Sequence, residues 1–347
     1  MWTRVRLLAR ACAPAAAPLL LLAAVGAAAT AGSPAGCGFP QFDPPSLVDS
    51  VRILAIKAEP PEVAPGESSV VTASIFDPAG APLMIWSVCT PDPVAGASAC
   101  AESLSGSGGT VADPQFGPTA TVDVPIDALQ GADAGEQVLA VASLIVCSGG
   151  DPTMGGDPTR CFPADAGTGG GDAGTATSFD EIPDTVEIGI KRITVSDSVV
   201  PNQNPVITEV NLSFDGGATT TPFPDTLVDC GAVTANACIG AGQTATFTVV
   251  AASGSVEGYT ELVNGVEEPR TETLITSFFG TTGRFGNIRA VGDGPDATGM
   301  SDVWQSAPAT EADGPSAQPG DTVRFWFVLR DGRGGTDYAE RTLGVVP

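Results

Sequence analysis

Glycine and proline interrupt this sequence about once every five residues, with 43 Gly and 30 Pro among 347. Both sit badly in helix interiors, Gly through backbone entropy and Pro through its missing N–H. A chain so interrupted cannot be built from long helices. Between the interruptions lie short runs that alternate apolar and polar residues, the pattern of half-buried strands. The fold class is therefore all-β, and 347 residues suffice for two ordinary domains.

The first unit spans residues 51–200. Its strand candidates are Val51–Ala58, Ser68–Phe76, Leu83–Val88, Ala120–Val124, Val138–Val146 and Thr185–Val195. In Ser68–Phe76, Val71, Ala73 and Ile75 share a face; Val138–Val146 is apolar on both faces, as a central strand should be. Turns such as Asp77-Pro78-Ala79-Gly80 separate them. Strands at this spacing read as an immunoglobulin-like β-sandwich, with Trp86 as its buried tryptophan. Residues 148–180 are rich in Gly and Asp, repeat Asp-Ala-Gly at 165–167 and 172–174, and read as a flexible surface loop.

Ser196–Pro205, centred on Pro201-Asn202-Gln203-Asn204-Pro205, reads as the hinge to a second sandwich over 201–347. There Val206–Phe214 and Thr271–Phe279 are strands, and Thr244–Ala251 alternates Ala245, Phe247, Val249 and Ala251 with threonines. A long loop holding Asp293, Asp296 and Asp302 follows. The chain closes on a hairpin, Val323–Arg330 and Asp337–Val346, turned by Asp331-Gly332-Arg333-Gly334-Gly335. Trp326 lies between Arg324 and Arg330 along that strand, an arrangement in which arginines shield a sheet face, with a binding patch as the alternative.

The N-terminus is an address. Residues 1–36 carry Arg4, Arg6 and Arg10, no acid, and the apolar stretch Leu19–Ala29, the order of a signal peptide. That stretch is shorter than the ~20 residues a membrane-spanning helix needs. Two cleavage sites compete. Ala29-Thr30-Ala31 suits ordinary signal peptidase, while Pro34-Ala35-Gly36-Cys37 resembles a bacterial lipobox with Pro34 where an aliphatic residue is usual. On the second reading Cys37 is lipidated, residues 37–50 form a short proline-stiffened tether, and the protein meets a membrane through its N-terminal lipid.

Cysteine parity bears on the choice. Cys12 is lost with the signal, and if Cys37 carries lipid six cysteines remain: Cys89, Cys100, Cys147, Cys161, Cys230 and Cys238. An even set suits disulfides in an oxidising compartment. Cys89 and Cys147 would end antiparallel neighbouring strands at opposite poles, too far apart to bridge. The economical pairing is Cys89–Cys100, Cys147–Cys161 and Cys230–Cys238. Without a Cys-x-x-Cys or any histidine, a zinc site is the poorer use of these cysteines.

The absence of histidine also removes Ser-His-Asp and Cys-His catalysis. There is no P-loop and no Gly-x-Ser-x-Gly elbow. Lys57 and Lys191 are the two lysines that could act as bases, and both fall in strands. The net charge of −25 opposes nucleic acid as a partner.

The segment Val51-Arg52-Ile53-Leu54-Ala55-Ile56-Lys57-Ala58-Glu59-Pro60-Pro61-Glu62-Val63-Ala64-Pro65-Gly66-Glu67 resembles surface lipoproteins of myxobacteria and related Gram-negative bacteria. So do Asp77-Pro78-Ala79-Gly80, Trp86 before Cys89, residues 201–205 and the closing Trp326–Gly335. The resemblance implies export, lipidation and Ig-like domains. Gly38, in place of a retention Asp, implies the outer membrane or cell surface by the same likeness. The expectation is a non-enzymatic, lipid-anchored cell-envelope module without cofactor or metal, whose partner is an envelope protein or glycan. The alternatives are secretion without a lipid, a carboxylate-dependent hydrolase, and a calcium-dependent adhesin.

Overall fold

The structure, a computed structural model, describes residues 45–91, 110–132, 135, 137–149, 185–198, 200–214, 216–217, 219–225, 238–263, 266–292, 299–307 and 314–346. The signal sequence, Cys37, Cys100, Cys161, Cys230, Asp293, Asp296 and nearly all of the Gly/Asp-rich loop lie outside the described residues.

The described chain is all-β. The first half contains β1 (Arg52–Glu59), β2 (Glu62–Val63), β3 (Ser68–Phe76), β4 (Leu83–Thr90), β5 (Thr110–Val111), β6 (Gln115–Phe116), β7 (Thr119–Asp123), β8 (Val138–Cys147) and β9 (Val186–Val195). They form two sheets, β1-β3-β7 and β2-β9-β8-β4-β5, with β6 beside β4. The chain changes sheet between β1 and β2, at the cis Glu59–Pro60 bond. All pairings are antiparallel except β2 with β9. Val71 from β3 and Val122 from β7 meet Trp86, Leu144 and Ile193 from the facing sheet in one dry core. β8 is buried on both faces along most of its length because it lies between β4 and β9.

The second half contains β10 (Ile207–Phe214), β11 (Thr221–Pro222), β12 (Cys238–Gly240), β13 (Thr244–Ala251), β14 (Gly258–Val263), β15 (Val266–Thr271), β16 (Ile275–Gly280), β17 (Arg284–Phe285), β18 (Arg289–Val291), β19 (Gly299–Gln305), β20 (Thr322–Arg330) and β21 (Thr336–Val346). Its two five-stranded sheets run β11-β10-β13-β19-β17 and β12-β21-β20-β16-β18, and β14-β15 is a separate hairpin. The alternation of β13 is realised directly: Ala245, Phe247, Val249 and Ala251 are buried, and the threonines between them are half-buried on the other face. Phe247 meets Phe325 of the facing sheet at 4.7 Å between ring centroids. Both halves are thus β-sandwiches, and the described residues fall in one compact unit.

Three sequence expectations change. Asp302, read as a loop residue, lies on β19 and is buried. The end of the expected tether is docked: Ser46, Leu47 and Val48 are buried, and the Val48 N–H donates to the Gly280 carbonyl of β16 at 2.9 Å. The expected hinge is pinned: the Asn204 side chain bonds both sandwiches, and Asn202 bonds Glu62 of the first through its backbone N–H and Asp331 of the second through its side chain.

Candidate functional site at the junction of the sandwiches

The turn between β20 and β21 is shaped by its own aspartate. Asp331 Oδ1 accepts the backbone N–H groups of Arg333, Gly334 and Gly335 at 2.8, 3.0 and 2.9 Å. That wrap needs left-handed backbone at Gly332 (φ 84°) and Gly334 (φ 117°). It also needs Gly335, where a Cβ would stand 1.9 Å from Asp331 Oδ2. The turn therefore exists because the sequence is Asp-Gly-x-Gly-Gly. Far from lying in solvent, it is wedged between the sandwiches, and Asp331 is buried.

Arg333 projects from this turn into a cluster of acids. Its guanidinium lies 3.0 Å from Glu272 Oε1, 3.3 Å from Glu62 Oε2 and 3.6 Å from Glu257 Oε2. It also lies 4.6 Å from the centroid of Tyr259. Glu62 belongs to β2 of the first sandwich, and Glu257 and Glu272 belong to the second. Glu62 additionally accepts the Asn202 backbone N–H at 2.8 Å and the Ser196 hydroxyl. Burial pushes the Glu272 carboxyl up to about 7, helped by the Asp331 and Glu257 charges and opposed by the Glu257 N–H and by Arg333.

Lys191, from β9, closes the turn from the first sandwich. Its ammonium donates to the Gly334 carbonyl and to Thr336 Oγ1 at 3.2 Å. Burial lowers it to about 8; Asp331 opposes that shift and Arg330 adds to it. Lys57 pairs with Asp337 across the junction at 3.2 Å. Its ammonium is raised overall: burial lowers it, and Asp337 and Glu59 outweigh that. Both lysines are on strands as expected, and both serve the junction. The Asn204 amide donates to the Ala58 carbonyl at 2.7 Å and its oxygen accepts the Thr336 N–H at 2.8 Å.

The shielding expected at Trp326 holds for Arg324 and fails for Arg330. Arg324 does stack on it, at 5.0 Å, but the ring is fully buried edge-on against Phe76 of the first sandwich, 5.3 Å away. Leu54 and Val48 complete this small apolar cluster. Arg330 points elsewhere, donating to Ser277 Oγ at 3.1 Å. Trp86 lies in the first core as expected, its indole N–H donating to the Gly117 carbonyl at 2.9 Å.

Asp302 keeps its carboxylate within the fold, accepting N–H groups from Asn287 and Val303 at 2.8 Å each. Burial raises its carboxyl. Among the described residues, no group of three or more Cys, Asp or Glu is placed to hold a metal ion. Cys89 lies opposite Val141, and Cys147 lies opposite Leu83 six residues along β4, so these two cysteines occupy opposite ends of the strand pair. The expected disulfide mates of Cys89, Cys147 and Cys238 lie outside the described residues.

Arg333, Glu62, Glu272, Asp331 and Asn202 were not singled out as site residues by sequence. One signal existed: an arginine in a Gly-rich turn of a chain with 15 basic residues against 40 acids. No family model matches this sequence, and neither does any curated protein.

Proposed function

We propose that this chain is a non-enzymatic, lipid-anchored cell-envelope protein whose two immunoglobulin-like sandwiches act as one structural or binding module. The observation that carries the reading is the junction: a glycine-rich turn of the second sandwich held by Lys191, Glu62 and Asn202, so that the pair moves as one piece. The buried ionisable groups Glu62, Glu272, Asp331, Lys191 and Asp302 all spend hydrogen bonds inside the fold. That supports a scaffold role for them rather than acid–base work. The split of the first strand between two sheets, and Trp86 on the strand beside β8, support an immunoglobulin-like topology.

The lipid is assigned to Cys37, with Cys89–Cys100, Cys147–Cys161 and Cys230–Cys238 as the disulfides and an envelope protein or glycan as partner. Residues 38–45 would link the lipid to the segment docked on β16, a reach of at most about 30 Å. The module would then hang close to the bacterial outer membrane or cell surface by its second sandwich. Metabolic labelling with a clickable fatty acid tests this. Labelled protein that becomes unlabelled in Cys37→Ser supports anchoring, and wild-type protein without label refutes it.

A further inference from the structure

Beside the turn lies a cavity of about 440 Å³, within the ~300–1,000 Å³ range of ligand sites. Its walls are residues 53–56 of β1 and 187–192 of β9, and its floor is Arg330 with the glycines of the turn. The two walls are edges. β1 pairs only with β3, and β9 meets β2 only at Thr194 and Val195. Among the described residues, no strand partners the rest of either edge.

Side chains stand where a strand would bond. The Ile53 N–H donates to the Glu187 carboxylate, as it would to a strand carbonyl. The Leu54 carbonyl receives Arg330 Nη2 at 3.5 Å, as it would a strand N–H. Ile53 and Ile56 give the slot apolar lining, which a small inorganic anion would not use.

The charge of the slot is unusual for this chain. Lys191, Arg192 and Arg330 all line it, yet none makes an ion pair among the described residues. Lys191 and Arg330 are close enough to repel each other, and Arg289 also repels Arg330. Glu187 is the one acid in the lining, and its carboxylate is taken by Ile53. Arg192 is exposed, but Arg330 is drawn out of water with no acid among the described residues acting on it. Lys191 has only Asp331, whose carboxylate already accepts three backbone N–H groups and the Asn202 amide. Cations so poorly compensated by a counter-ion are costly. A chain with 40 acids had ample means to supply one. Lys191 uses two of its three donors and Arg330 two of five, so donors remain for an anion.

We propose that this slot binds an extended peptide ending in a free carboxylate, its backbone adding to the β1 edge and its carboxylate neutralising Arg330 and Lys191. The mode is strand addition combined with terminal-carboxylate capture. The proposal rests on reading the chain as a binding module and is independent of its anchoring. Absent label at Cys37 leaves it intact, and absent peptide binding leaves the anchoring intact.

The test is fluorescence anisotropy of the full chain with a fluorescein-labelled Thr-Val-Thr-Val peptide, as free acid and as C-terminal amide. The expected result is saturable binding of the acid, at least about tenfold weaker for the amide, the effect of one charge-assisted hydrogen bond. Arg330→Gln should weaken the acid about tenfold. If that variant fails to fold, the exposed Arg192→Glu decides, and it too should weaken the acid about tenfold. No binding, equal binding of acid and amide, or affinity unchanged in the folded variant would overturn the proposal. So would displacement of the peptide by equimolar inorganic phosphate, which would make the site an anion hole.

Discussion

Among the described residues, Trp86 is the one aromatic ring in the core of the first sandwich, where Val, Ala, Leu and Ile from both sheets surround it. Among the described residues, the second core buries seven rings: Phe223, Phe247, Phe278, Phe285, Trp304, Phe325 and Phe327. Phe325 lies at their centre, 4.7 Å from Phe247 and edge-on to Trp304 at 5.1 Å. The cores nonetheless share one requirement. Trp86 and Trp304 are fully buried, and each gives its indole N–H to a backbone carbonyl, Gly117 or Thr282, at 2.9 Å. A two-layer fold thus accepts either filling, provided that the polar tip of a buried ring finds a partner. What differs is how the stabilisation is distributed. Small side chains spread it thinly, and interlocked rings concentrate it.

That difference yields the largest expected effect. Phe325→Ala should cost about 3–5 kcal/mol, because it removes a ring that several others share. Val122→Ala, equally buried in the first core, should cost about 2 kcal/mol. Chemical denaturation of the two variants measures the ratio, and equal losses would break the comparison.

The junction decides whether the two cores report separately. Arg333→Met leaves Glu62 and Glu272 buried without their cation, at a cost of about 3 kcal/mol. Wild-type protein should melt in one calorimetric transition and Arg333→Met in two, with the aliphatic and aromatic sandwiches unfolding apart. A single transition in the variant would show that Trp326 against Phe76 suffices to couple them.

The two sandwiches also give the junction groups that titrate in opposite senses. Glu272 rises from 4.5 to about 7 on folding. Between those values the unfolded chain releases a proton that the folded chain keeps, so stability falls as pH rises and the loss is complete above about 7. Lys191 drops from 10.5 to about 8. Between those values the unfolded chain holds the extra proton, so stability recovers as pH rises. Scanning calorimetry against pH should show both limbs. Glu272→Gln should abolish the acid limb and Lys191→Met the alkaline one, and a limb that persists in its variant would place it on another group.

The strands that were legible in sequence are those whose two faces differ in polarity or are both apolar. Thr244–Ala251 shows this in its threonines and Val138–Val146 in its unbroken apolar run. β19 was hidden because its buried face reads Met300, Asp302, Trp304. A buried aspartate breaks the period-2 signal, and hydrogen bonds from Asn287, fifteen residues away, and from the Val303 N–H make that burial tolerable. The junction was hidden for a related reason. Asp331-Gly332-Arg333-Gly334-Gly335 has the composition of a solvent-exposed turn, and the composition does specify the turn. What it cannot specify is Glu62, 271 residues away in sequence, which turns an exposed loop into a wedge. Local patterning finds elements, and long-range charge pairing decides which surfaces of those elements are interior.

The smallest effect belongs to the part of the second sandwich that joins neither core. β14 and β15 form a hairpin apart from both sheets, and β15 is exposed along nearly its whole length. Arg270 there reaches Glu261 at 3.0 Å and Glu268 at 2.8 Å, with all three side chains more than 40% exposed. Such pairs lose in side-chain entropy and screening much of what they gain in attraction. Arg270→Gln should therefore cost about 0.2–1 kcal/mol, and raising the salt to about 1 M should erase the difference from wild type. A larger or salt-insensitive loss would mean that the hairpin packs on the aromatic sandwich and shares in its concentrated stability. In that case Tyr259, the β14 residue beneath Arg333, would be the place to look for the coupling.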